Sequence, residues 1–209
     1  MFYFTKKEKI LLKKLNTPAK VQDFLNGFKF NFEKKGETLK SPILTLRTQN
    51  AHCFEGALLG AYILSLHGFK PYLMHQKAIE DDYDHIIVPF KIDGLWGALS
   101  KTNHAVLRYR EPIYRNLREL SMSYFHEYFL NDGKKTLRQY SALFNLNTLK
   151  KPARCGGDWV TSEVDLWYID KKLDKIKHYN IVPKSYLKRL RKADKIEVEA
   201  TKIVEFKKY

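Results

Sequence analysis

The chain has 209 residues, enough for one domain or one domain with an appendage. Hydrophobic residues make up 44%, and 13 Phe with 13 Tyr supply material for a core, yet no apolar run approaches the length of a membrane span. The 38 Lys and Arg against 23 Asp and Glu give a net charge of +15, which suits a polyanion, an anionic surface or an acidic substrate, or else a merely solvated basic surface, and no nucleic-acid motif accompanies it.

Residues 1–7 lack the basic region, apolar run and small-residue cleavage site of a signal peptide. Two Cys without a dense framework suit a reducing compartment, so the expected location is the cytoplasm. A disulfide between Cys53 and Cys155 is a formal option that would consume the nucleophile considered below. Residues 5–15 predict a short Lys-rich helix with Ile10, Leu11 and Leu15 on one side, too short to favour a membrane over packing on the domain. Thr17-Pro18 reads as an N-cap and first helical residue. Val21, Phe24, Leu25 and Phe28 then follow at the spacing of an amphipathic helix. Residues 29–48, with Gly36, Pro42 and mixed charges, read as an irregular connection.

Residues 53–68 form the stretch around which the chain is organised. Phe54, Ala57, Leu58, Ala61, Ile63, Leu64 and Leu66 predict a helix buried on most sides, closed by Gly68 in a left-handed conformation. Cys53 falls in its first turn, where unpaired N–H groups and the helix dipole stabilise a thiolate. Taken alone, Cys53 reads first as one more small buried residue, and the residues that follow reverse that order. Residues 69–78 predict a strand, and Glu80, Asp81, Asp82 and Asp84 an acidic, solvated loop. Residues 85–91 and 95–100 predict two strands joined at Asp93-Gly94, a strong hairpin signal.

The order is therefore Cys at a helix start, a strand, His85 opening a second strand, a tight turn, and Ser100 ending a third. This order resembles the transglutaminase-like superfamily, a circular variant of the papain-like arrangement. Cys53, Ala57, Leu58 and Gly68 match its first block, His85 its second, and Trp96 the Trp of its third, across residues 17–105. The resemblance implies Cys53 as nucleophile and His85 as its base. The family's Asp falls at Ser100, a departure that weakens imidazolium stabilisation, and Asn103 is a second candidate to orient the ring. Gln49 is a candidate oxyanion donor, though the backbone N–H of Cys53 is better situated, and Trp96 a candidate substrate contact. Asp84 should point to the opposite face of the strand from His85. His52, Cys53, His67, His75 and His85 match no compact zinc spacing, and no calcium-loop pattern is present, so no cofactor is expected.

Further on, residues 112–130 and 135–144 predict helices with aromatic stripes, and residues 151–157 a linker that includes a bystander Cys155. This boundary divides a core of residues 1–150 from a basic extension of residues 151–209. An aromatic patch at Trp159, Val160, Leu166, Trp167 and Ile169 should dock on the core. Residues 183–192 suit a basic helix, and residues 196–200 and 203–206 alternate like strands. Residues 171–209 carry 13 Lys and Arg against 5 Asp and Glu, a balance of +8.

The fold expected is α+β: a papain-like or transglutaminase-like core, its nucleophile helix packed on a small antiparallel sheet, with extra C-terminal helices and strands. The function expected is cysteine-dependent acyl transfer on a peptide or protein amide or isopeptide bond, by hydrolysis first and transamidation second. The rivals are a non-catalytic binding module of the same fold and a polyanion-binding protein using the basic tail.

Overall fold

The structure is a computed structural model that describes residues 3–149 and 158–207. Helix α1 (Lys6–Lys14) starts where the Thr5 side chain accepts from the Glu8 N–H and Glu8 answers to the Thr5 N–H. Helix α2 (Pro18–Asn26) is capped by Thr17 with Pro at its first position. Strand β1 (Lys29–Phe30), helix α3 (Pro42–Thr48) and strand β2 (Asn50–Ala51) follow, and β1 pairs in parallel with β2. Residues 29–48 are therefore not an irregular connection throughout: Ser41-Pro42 opens α3 as Thr17-Pro18 opens α2.

Helix α4 (Cys53–Ser65) is buried almost all round, as its apolar crowding requires. The Phe69 N–H reaches the Leu64 carbonyl at 3.2 Å and the Gly68 N–H the Ser65 carbonyl at 3.4 Å, with Gly68 at φ 86°, a left-handed closure that glycine adopts freely. Strands β3 (Tyr72–Lys77), β4 (His85–Ile92) and β5 (Leu95–Leu99) make an antiparallel meander. Asp93 and Gly94 both have positive φ, 47° and 84°, the twist a two-residue hairpin turn demands.

The next elements depart from expectation. Residues 112–130 divide into strand β6 (Arg110–Tyr114) and helix α5 (Leu117–Phe125). Pro112 is tolerated because β6 is the sheet's edge. Residues 135–144 are not a helix but carry strand β7 (Gln139–Ser141) and open strand β8 (Phe144–Asn145), because the edge of β3 that β4 leaves free needs partners: β7 pairs with Gln76 and Lys77, β8 with Tyr72 and Leu73. Helix α6 (Trp167–Lys175) and strand β9 (His178–Asn180) come next, and residues 184–189 form a 3-10 turn in place of the expected basic helix. Residues 196–200 fall in helix α7 (Lys195–Thr201), not a strand: Asp194 and Glu197 close a capping box that outweighs the alternating pattern. Val204 makes an isolated bridge with His104. The expected linker at 151–157 lies outside the described residues.

The sheet order is β6-β5-β4-β3-β7-β9, with β8 also on β3. Successive strand residues face opposite ways. Leu73, Ile86, Val88 and Leu99 join α4 in one core, and Met74, Ile87 and Ala98 join Leu120 and Tyr124 of α5 in another. The chain is thus mixed α and β around an antiparallel sheet. Its C-terminal part shares both cores: Trp159, Leu166, Ile169 and Leu173 enter the first, Ile181 and Val182 the second, and β9 extends the sheet. No helix among the described residues is long and apolar enough to cross a membrane.

Candidate active site

Cys53 opens α4, partly exposed at the floor of a cleft of ≈ 640 Å³. His85 is buried at the first position of β4, and its ring is near enough to the Cys53 thiol to lower its pKa. Its Nε2 lies 2.7 Å from the hydroxyl of Ser100, the residue after β5. That hydroxyl donates its own proton to the Leu107 carbonyl, so it can only accept from the ring. The arrangement therefore keeps a proton on Nε2 and leaves Nδ1 to face the sulfur. Ser100 is in turn fixed by Gln22 of α2, whose buried amide clamps its backbone: Gln22 Nε2 to Ser100 O at 2.8 Å and Ser100 N to Gln22 Oε1 at 2.9 Å.

The thiol feels opposing forces. Burial raises its pKa, but the neighbouring His52 and His85 imidazoles lower it to about 5. His52, the N-cap of α4, is the partner that sequence reasoning counted only as a metal ligand. Burial lowers its pKa, yet the adjacent Cys53 thiolate, the charge of Glu55 and the Thr38 carbonyl lift it to about 9. Glu55 lies fully buried beneath. It accepts from Asn31 Nδ2 at 3.0 Å, Thr38 Oγ1 at 2.9 Å, Lys40 N at 3.2 Å and His52 N at 3.2 Å, tying the 31–40 segment to the helix start. The spacing His52-x-x-Glu55 just before an apolar run was the signal available for both.

The other candidates lie elsewhere. Asn103 does not reach His85: its amide makes two 2.9 Å bonds to the Phe206 backbone, strapping the C-terminal segment to one wall of the cleft. Gln49 is exposed in a left-handed turn at the C-cap of α3 and is not a cleft residue, so it is no oxyanion donor. The N–H of Cys53 lies in the first turn of α4, where backbone N–H groups have no intrahelical acceptor. Trp96 sits four residues before Ser100, ~13 Å along the strand, where it packs on Tyr72 and under the Lys91 ammonium rather than in the cleft. Asp84 turns away from His85, as the strand alternation requires, and accepts from His75 Nε2 and the Ala78 N–H, each at 2.7 Å. Burial opposes its charge, but the His75 hydrogen bond and its neighbours keep it below the usual carboxylate range. The acidic loop is braced rather than simply solvated. Asp82 accepts from Thr136 Oγ1 at 2.5 Å, and Tyr128 donates to the Tyr83 carbonyl.

Lys101, next to Ser100, is buried and gives its ammonium to the Phe28 carbonyl at 2.6 Å, with its pKa lowered by burial. Its side chain lies against Gly56 of α4, where an added Cβ would come within 2.5 Å of Lys101 Cβ. Phe30, Phe32, Leu107 and Phe129 supply apolar cleft surface. Among the described residues, no group of three or more His, Cys, Asp or Glu side chains is arranged to hold a metal ion. No family model matches the chain and no curated protein matches it, so what the site does is argued from its own geometry.

Proposed function

We propose that the protein is a cysteine-dependent acyl-transfer enzyme of papain-like, transglutaminase-like design, acting on an amide or isopeptide bond of a peptide or protein. The observation that carries this reading is the hydrogen-bond order from Leu107 O through Ser100 Oγ to His85 Nε2. It commits one ring nitrogen to an acceptor and turns the other toward a thiol whose pKa is lowered to about 5. A nucleophile, a base oriented by a third group, and a helix-start N–H for the oxyanion are the parts acyl transfer requires.

In the reaction, the Cys53 thiolate attacks the carbonyl carbon and its π electrons move to oxygen. The C–N bond breaks as His85 gives its Nδ1 proton to the leaving amine. Neutral His85 then takes a proton from water as the oxygen attacks the thioester. The C–S bond breaks and the thiolate and imidazolium return. With an amine in place of water, the same steps give transamidation.

A panel of peptide p-nitroanilides and p-nitrophenyl esters tests the reading by steady-state release of the chromophore. Turnover is expected for the wild type, with Cys53→Ala inactive and His85→Ala slower by about 10²–10⁴-fold. No release from any member, or release that Cys53→Ala leaves intact, would favour a binding module instead.

A further inference from the structure

The carbonyl that sets the His85 tautomer belongs to a residue in a strained conformation. Leu107 lies in the loop between β5 and β6 at φ 59°, the left-handed region that a leucine seldom occupies. Such a residue persists only where its surroundings over-determine it, and such residues cluster at functional sites. Both backbone polar groups of Leu107 are committed. Its carbonyl accepts the Ser100 hydroxyl proton, and its N–H donates to Glu127 Oε2 at 2.8 Å. The same carboxylate oxygen accepts from Arg110 Nη2 at 2.6 Å.

Glu127 and Arg110 are themselves anchored. Glu127 lies just beyond α5, with its N–H on the Tyr124 carbonyl at 3.1 Å. Arg110, the first residue of β6, donates through Nε to Ser123 Oγ at 2.9 Å and through Nη2 to the Ser123 carbonyl at 3.1 Å. Its guanidinium lies 4.1 Å from the centre of the Tyr124 ring. Tyr124 is fully buried in the core that α5 shares with the sheet, and its hydroxyl donates to the Arg108 carbonyl at 3.1 Å. The first half of the loop is tied to the C-terminal segment instead: the Ala105 N–H to the Ile203 carbonyl at 3.2 Å and the Glu205 N–H to the Asn103 carbonyl at 2.9 Å. The hold on the Leu107 N–H comes from Glu127.

We propose that Glu127 is a positioning residue for the His85 base: by accepting from the Leu107 N–H it keeps Leu107 left-handed, with its carbonyl on the Ser100 hydroxyl, and so fixes which ring nitrogen stays protonated. The inference rests on the acyl-transfer reading. It gives the chain a carboxylate behind its base at one remove. An Asp on the ring would stabilise the imidazolium by its charge. Glu127 acts instead through the Leu107 backbone and the Ser100 hydroxyl, on orientation and tautomer. Without that hold Leu107 relaxes toward an ordinary backbone region and its carbonyl turns away. The freed hydroxyl then donates to His85 Nε2, and the ring carries its proton on Nδ1, the nitrogen needed to take the proton from Cys53.

The test is a double-variant cycle on p-nitrophenyl ester turnover in the full chain, with kcat and KM read separately and circular dichroism following the fold. Glu127→Ala and Glu127→Met both lack the acceptor, and each is expected to lower kcat by about tenfold or more with KM little changed. Glu127→Gln keeps a carbonyl oxygen for the Leu107 N–H and is expected to restore most of that loss. Ser100→Ala breaks the same chain one step on, so adding Glu127→Ala to it should lower kcat no further, whereas independent residues would multiply their losses. The proposal is overturned if both acceptor-less variants keep the wild-type kcat, if the losses multiply in the double variant, or if Glu127→Gln is as slow as Glu127→Ala. Those results leave the acyl-transfer reading standing so long as Cys53→Ala abolishes turnover. No turnover by the wild type, or turnover that survives in Cys53→Ala, overturns both.

Discussion

His85 Nε2 and the Ser100 hydroxyl stand 2.7 Å apart, and the hydroxyl's proton is already committed to Leu107 O. That single commitment sets the tautomer of His85, the base of the proposed reaction. Ser100→Ala leaves a buried N–H without an acceptor, at about 1–3 kcal/mol. It also frees the ring to turn, and a misplaced base loses about 10²-fold in rate. Thermal unfolding and ester turnover check both halves: a lower melting temperature with kcat reduced far more than KM.

Alkaline pH should remove the contribution of His52. Its pKa is raised from the ordinary 6.5 to about 9, so its stabilisation is complete below 6.5 and is lost as pH rises through 9. Cys53 runs the other way: lowered from 9.0 to about 5, its stabilisation is complete above 9.0 and is lost as pH falls through 5. In melts at neutral and strongly alkaline pH, the wild-type lead over His52→Asn should shrink by about 2–4 °C per kcal/mol lost. A lead that does not change with pH would contradict the assignment.

Glu55 organises the entrance to α4. Glu55→Gln puts an amide N–H₂ among donors that already point at the site, an Asn31 amide, a Thr38 hydroxyl and two backbone N–H groups. The expected loss is about 3 kcal/mol by chemical denaturation, in line with removing the charge from a buried hydrogen-bonded carboxylate.

Close packing of α4 on the strand end gives a further stability test. A methyl at Gly56 would meet Lys101 Cβ at 2.5 Å and Cγ at 3.0 Å, atoms near the backbone that cannot swing away. Gly56→Ala should lose about 1–3 kcal/mol despite its better helix propensity. Because α4 carries Cys53 and the neighbouring Ser100 orients His85, turnover should fall more steeply than stability.

Much of this arrangement was legible in the residues. The apolar crowding of α4, the left-handed Gly68 and the Asp93-Gly94 turn are local signals, and each dictates backbone geometry by itself. The succession of Cys53, His85 and Ser100 follows from them. What was not legible depends on partners distant in sequence. Leu137, Tyr140, Leu143 and Phe144 are spaced as a helix would space them, and only the edge of β3 left open by β4 makes that segment extended. Asn103 and Ser100 offer equivalent chemistry on paper, and the strap at Phe206, a hundred residues on, takes Asn103 out of reach. Gln22 could not be tied to Ser100 without the fold. The capping pairs of His52 with Glu55 and Asp194 with Glu197 were readable, and the alternation of residues 196–200 concealed the second.

In the proposed reaction a substrate acyl group becomes covalently attached to the Cys53 sulfur. The most direct measurement is the mass of the protein, quenched in acid after brief mixing with a p-nitrophenyl ester, with the modified peptide mapped. The account predicts a transient gain of one acyl group on the peptide containing Cys53, absent in Cys53→Ala and persisting longer in His85→Ala because deacylation lacks its base. An unmodified Cys53 peptide during turnover, or an acyl group found instead on lysines and unchanged in Cys53→Ala, would contradict it.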